Sequence, residues 1–166
     1  MRVIGGIGAL IIFLLWGNSK AMTLSMRYDI MHSFVGDIRA FAAELEYRPR
    51  DIRDIAKNFY TGELAGFWRE FVRAVDDHGS AEQAWMTATK KYDGFNMLSA
   101  EERAIITETG RSIGKLNQKD SVAAMRLRGE QAEQYARELS ELIKNKGAVY
   151  QKLGLLGGLA VMLLIV

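Results

Sequence analysis

Few residues in this chain have the type and spacing that chemistry would need. Its two histidines, His32 and His78, have no partners at metal-ligand spacing, and His78 sits in a turn beside Asp77 and Gly79. There is no cysteine, which removes thiol nucleophiles, Cys-based zinc sites and disulfides together. The acidic pairs Asp76–Asp77 and Glu101–Glu102 lie beside helix ends, and Glu101 and Glu102 are explained by the favourable helix dipole of a first turn, as are Asp51 and Asp54 after Pro49. Gly5, Gly6 and Gly8 lie in an apolar segment with no Lys-Ser or Lys-Thr after them, so they are not a phosphate loop. Gly110-Arg-Ser-Ile-Gly114 lacks the second half of such a loop and follows no strand. The residues therefore predict no catalytic, metal-ligating or cofactor-binding site, and an enzyme would need an acid–base pair in a pocket that this spacing does not suggest.

The elements that would carry binding instead are legible in the charge pattern. The chain has 166 residues, enough for one domain, and a net charge of +2, too small to argue for nucleic acid. Every Asp and Glu falls between Asp29 and Glu141, whereas Val3–Trp16 and Leu153–Val166 carry no charge. The first apolar run is short for a membrane span, which needs about 20 residues, but extends through Ala21, Met22 and Leu24 if Lys20 snorkels. A cleaved signal peptide is the competing reading, giving an exported helical binding protein, although no small-x-small cleavage site precedes Lys20. The last run ends in Leu-Leu-Ile-Val, a surface that a water-soluble domain rarely exposes. These features predict an N-terminal transmembrane anchor over 1–24, a helical bundle over 25–149 and a C-terminal anchor over 150–166. Gly5 with Ala9 and Gly154 with Gly158 are small-xxx-small pairs through which the two anchors could pack in the lipid bilayer. Lys20, Arg27, Lys144, Lys146 and Lys152 flank the runs on the inner side and only Arg2 lies on the other, so the positive-inside rule puts the bundle in the cytoplasm.

Between the runs the periodicity is helical and strand patterns are missing. Ile30, Phe34, Ile38, Phe41 and Leu45 form one stripe. Pro49 suits the first turn of a second helix carrying Ile52, Ile55 and Phe59. Leu64, Phe67, Trp68, Phe71, Val72 and Val75 define a third. Ser80 with Gln83 and Ser99 with Glu102 read as capping boxes opening two more, with Lys90–Met97 a loop between them. Gly110–Asp120 reads as a polar connection with its break at Gly114. Val122, Met125, Gly129, Ala132, Ala136, Leu139 and Ile143 then fall on a heptad seam whose small residues permit close approach of a neighbour. The expectation is an all-α, compact bundle of about six helices flanked by the two transmembrane helices.

Phe67, Trp68 and Phe71 at helical spacing read as core, and the charges from Arg126 to Glu141 as a solvated face. That leaves Arg48, Arg50 and Arg53, a basic cluster at a helix start, and Gly110, Gly114 and Asn117, an irregular glycine turn, as candidate partner-binding residues.

Several stretches together resemble the stage III sporulation protein AB family: Glu44-Leu-Glu-Tyr47, Gln83-Ala-Trp85, Leu98-Ser-Ala-Glu101, the Gly110-to-Gly114 spacing and above all Tyr150-Gln-Lys-Leu-Gly-Leu-Leu-Gly-Gly-Leu159. Where the family usually has Ser-Asp after its second glycine and a Gln a few residues on, this chain has Leu116-Asn117 and Ser121. The resemblance implies a fold similar to the cytoplasmic domain of the type II secretion F platform proteins. It also implies residence in the mother-cell membrane around the forespore, in a channel complex with the stage III sporulation protein AA ATPase and several other membrane proteins. The work expected of the chain is then binding; its stoichiometry, including homo-oligomerisation, is left open.

Overall fold

A computed structural model of the chain describes residues 2–47, 51–78, 80–113, 118–147, 149, 152, 155–157 and 160; within these, the side chains of 2–10, 13–14, 16–17, 78 and 146–147 are outside the description. Among the described residues the architecture is all-helical. Helix α1 runs Arg2–Tyr47, α2 Ile52–Lys57, α3 Ala65–His78, α4 Ala81–Lys91, α5 Ala100–Ser112 and α6 Gln118–Leu142. A 3-10 helix, Asp93–Met97, separates α4 from α5, and a π-helical turn, Ile143–Gly147, follows α6. The chain divides into two units, one of Asp29–Ala136 and one composed of Met1–Tyr28 with Arg137–Val166.

The Gly17-Asn18-Ser19-Lys20 stretch that ends the first apolar run lies inside α1 and does not interrupt it. Nothing from Arg2 to Tyr47 is a proline, and the Thr23 hydroxyl closes locally on the Ser19 carbonyl at 2.9 Å, so the backbone ladder continues. Among the described residues no helix is long and apolar enough to cross a membrane. Most of the expected C-terminal anchor, 150–166, lies outside the described residues.

In the Asp29–Ala136 unit the expected stripe of α1 is the buried one: Ile30, Phe34, Ile38 and Phe41 are all inaccessible or nearly so. They meet the buried face of α3, where Phe67, Trp68 and Phe71, with Leu64 just before the helix, have no exposed surface. Phe59 and Phe41 stack on Trp68 at ring separations of 4.7 and 5.3 Å, and Trp85 of α4 meets the Trp68 ring edge-on at 5.7 Å. Phe67 packs edge-on against Trp85 at 4.8 Å. Such offset and edge-to-face geometries are the favoured ones for ring quadrupoles, so the cluster gains electrostatically as well as by burial.

Local signals place the helix starts. Asp51 caps α2 by accepting from the Arg53 amide at 3.0 Å. At α5 both halves of the capping box form, Ser99 Oγ accepting from the Glu102 amide and Glu102 Oε2 from the Ser99 amide. At α4 the Ser80 hydroxyl accepts from the Gln83 amide at 3.5 Å, which is one half of the box expected there.

Two expectations need correction. Lys90–Met97 is not a loop: Lys90 and Lys91 finish α4, and the following 3-10 turn buries Phe95 beside Phe67 at 5.3 Å. Gly110 does not open a connection either. It lies within α5, fully covered, and a Cβ built on it would stand 2.0 Å from Cδ1 of Trp85. The glycine is there because α4 and α5 approach more closely than any side chain would permit. The seam of α6 behaves as expected: Val122, Met125, Ala132, Ala136 and Leu139 are buried, and at Gly129 an added Cβ would sit 3.2 Å from Cγ2 of Ile38 in α1.

Replacing Gly110 by Ala should therefore cost about 1–3 kcal/mol by overpacking against an indole that cannot yield. Gly36, helical, exposed and with nothing within 4 Å of an added Cβ, is the control. There Ala should stabilise by about 0.5–1 kcal/mol through helix propensity. Urea unfolding followed by tryptophan fluorescence reads both, with midpoints moving in opposite directions.

Candidate functional site

Of the expected partner-binding residues, Arg53 and Gly110 are described, and they lie on different helices, α2 and α5. Arg48 and Arg50 of the basic cluster, and Gly114 and Asn117 of the glycine turn, lie outside the described residues. Arg53 sits in the first turn of α2, half-buried, with Nη2 2.9 Å from Oδ1 of Asp76 in α3, while its Nε is buried without a hydrogen-bond partner. It is thus engaged in tying α2 to α3. Gly110 faces Trp85 rather than solvent. Of the membrane-packing pairs, Gly5 and Ala9 fall within α1 without a description of their surroundings, and Gly154 and Gly158 lie outside the described residues.

What the fold does bring together is polar chemistry along α1. Asp37 lies three residues after Phe34 and four before Phe41, which puts a carboxylate on the buried face of the helix. Its Oδ2 accepts from Nε1 of Trp68 at 2.6 Å, satisfying an indole N–H that has no access to water. Burial pushes the Asp37 carboxyl above its ordinary range, and the Trp68 hydrogen bond opposes that rise without cancelling it. Trp85 solves the same problem with a backbone acceptor, donating to the Ile106 carbonyl at 2.8 Å. Tyr92, lifted by burial and by the nearby Glu63 charge, keeps its proton and donates to the Glu63 carbonyl at 3.3 Å. Its ring covers Gly66 and Gly94.

The outer faces of α1 and α6 are joined by ion pairs, Arg39 with Glu133 and Glu46 with Arg126, and by a hydrogen bond from the Gln118 amide group to the Leu45 carbonyl. These are partly exposed pairs, each worth about 0–1 kcal/mol, and they set register more than stability. At the C-terminal end of α1, Ala40, Ala43, Glu44 and Tyr47 line an open depression of about 380 Å³. Oε2 of Glu44 is buried there with no hydrogen-bond partner, and the Tyr47 ring is 79% exposed. A second open depression, on α4, is lined by Glu82, Gln83, Met86 and Thr87.

Among the described residues no group of three or more His, Cys, Asp or Glu side chains could hold a metal ion. The Asp37–Trp68 pair is a carboxylate held by a donor that does not titrate, which makes it a structural bond and not an acid–base couple. Sequence reasoning had passed over Asp37, although its spacing from Phe34 and Phe41 marks it as an acid on an apolar face. It had also passed over Glu44 and Tyr47 as a site, which share a face with Ala40 at helical spacing.

Trp68→Phe removes the indole N–H and leaves the Asp37 carboxylate half-buried without its donor, so unfolding should become easier by about 1–3 kcal/mol at neutral pH. Asp37 gives a pH signature with a definite sign. Its folded carboxyl binds protons more tightly than the unfolded one, so its contribution is fully present below the ordinary aspartate value of 3.8 and is lost as pH rises through the higher folded value. The stability of the wild-type chain relative to Asp37→Asn should therefore fall with rising pH across the acid range just above 3.8, as measured by urea midpoints at a series of pH values.

With the geometry described, comparison with known proteins adds a family. A family model described as stage III sporulation protein AB matches residues 2–166, nearly the whole chain. No curated protein and no solved structure matches it. The chain belongs to the stage III sporulation protein AB family.

Proposed function

We propose, with that family membership as the premise, that the chain is a non-enzymatic platform component of the channel between mother cell and forespore, anchored in the mother-cell membrane at both ends. The observation that carries this reading is the partition of the chain. The uncharged runs Val3–Trp16 and Leu153–Val166 flank the segment Asp29–Glu141, which holds every Asp and Glu of the chain. In this reading 1–24 and 150–166 are transmembrane anchors, packed through Gly5, Ala9, Gly154 and Gly158, and the bundle faces the mother-cell cytoplasm. Exposed apolar side chains in the end unit, Ile11, Ile12, Leu15, Leu155 and Leu156, suit contact with lipid tails better than with water.

The bundle would couple the stage III sporulation protein AA ATPase to the other membrane proteins of the complex. Its chemistry favours that role over catalysis, since the Asp37 carboxylate is bound to an indole, that of Glu102 caps α5, and the described surface carries short ion pairs. Coupling through a rigid body needs a core that transmits force without deforming, and the interlocked aromatic cluster supplies one.

A reporter enzyme active only in the cytoplasm, inserted at the exposed Thr61–Gly62 turn or fused after Val166, tests the orientation. An active insertion with a silent terminal fusion is the expected result. The reverse pattern would place the bundle outside the cytoplasm, remove the ATPase contact and favour an exported binding protein.

A further inference from the structure

We propose that the depression at the C-terminal end of α1 is the docking site for an arginine side chain presented by a partner protein, with Glu44 as its carboxylate and Tyr47 as its stacking surface. The inference rests on the platform reading and specifies the surface through which a partner is held.

Three observations converge on it. First, α1 carries two carboxylates within one turn of each other, and the fold treats them differently. Glu46 is paired with Arg126 of α6, whereas Oε2 of Glu44 is buried and has no hydrogen-bond partner. A buried carboxylate oxygen left without a donor is costly, and such groups in folded proteins are ordinarily satisfied. On the same helix Arg39 is engaged with Glu133, and Arg126 of α6 with Glu46, so neither of these cations serves Glu44, whose buried oxygen is open to a donor from a partner.

Second, the depression beside Glu44 has the dimensions and lining of a side-chain pocket. Its volume is about 380 Å³, and Ala40 and Ala43 keep the wall low where a larger residue would fill it. Third, Tyr47 lies at the rim with 79% of its surface exposed. A planar cation can bond to a carboxylate through its edge while its face lies on an aromatic ring; a guanidinium does both, and an ammonium does only the first well. Charge complementarity therefore points to an arginine-bearing segment, and the alanine-lined wall to a helix able to approach closely.

The test uses the full chain in detergent micelles and the purified ATPase of the proposed complex. Affinity is measured for the wild type, Glu44→Gln, Ala43→Trp and, as a control of equal charge change on the same helix, Glu46→Gln. Glu44→Gln should weaken binding by roughly thirtyfold or more, as removal of one partner of a buried interfacial charge pair does, and Ala43→Trp should weaken it by filling the depression. Glu46→Gln should bind as the wild type does. Unchanged far-UV circular dichroism and an unchanged urea midpoint in each variant show that the helical core is intact, so that a loss of binding is not a loss of fold. Wild-type binding that survives both Glu44→Gln and Ala43→Trp would overturn the arginine pocket while leaving the platform reading in place. Absence of binding by the wild type would overturn the ATPase contact itself, and the pocket proposal with it. Loss of self-association in Glu44→Gln, with ATPase binding intact, would assign the pocket to a second copy and equally overturn the proposal.

Discussion

Two indole rings with no exposed surface, 5.7 Å apart, set the terms for the bundle. Each carries an N–H that water cannot reach, and each must find an acceptor inside the protein. Trp68 takes a carboxylate from α1, and Trp85 takes a backbone carbonyl from α5. Those two bonds, with the rings that carry them, fix the distances among four helices. They also explain departures from simple patterning. An acid stands on the apolar face of α1 because Trp68 needs it, and a glycine stands inside α5 because Trp85 leaves room for nothing larger.

The same constraint accounts for what was legible in the residue order and what was not. Local devices were readable because their partners are three or four residues away: the Ser99–Glu102 box, the Asp51 cap, and the stripes of α1, α3 and α6. Gly110 was misread as a loop residue because its reason is Trp85, twenty-five positions earlier and on another helix. The 3-10 turn at Asp93–Met97 was hidden by its glycine and polar residues; what orders it is Phe95 seated beside Phe67 and the Tyr92 ring lying over Gly94. The family was legible from short stretches along the chain, and the match over residues 2–166 bears that out. Of the basic cluster only Arg53 is described, and its pairing with Asp76 is a contact that charge counting along the chain does not foresee.

Function in this account separates by unit. The Asp29–Ala136 unit has its own aromatic core, its own capped helices and its own ion pairs between α1 and α6, so it has the ingredients of a self-sufficient fold. The end runs carry no charged residue, which in the proposed reading suits them to a bilayer. Under the proposed platform role, the recognition chemistry would sit on a helix of the aromatic-cored unit, where a bound partner would pull on packed rings and not on a loop.

The independence of the bundle is the claim on which the rest stands, and residues 25–149 produced without either apolar run test it most directly. Trp16 is absent from that segment, so its fluorescence reports Trp68 and Trp85 alone. Soluble protein with blue-shifted emission and one cooperative urea transition is the predicted result. Aggregation, or emission that shifts gradually with no transition, would show that the bundle needs its apolar ends to fold and would contradict the account.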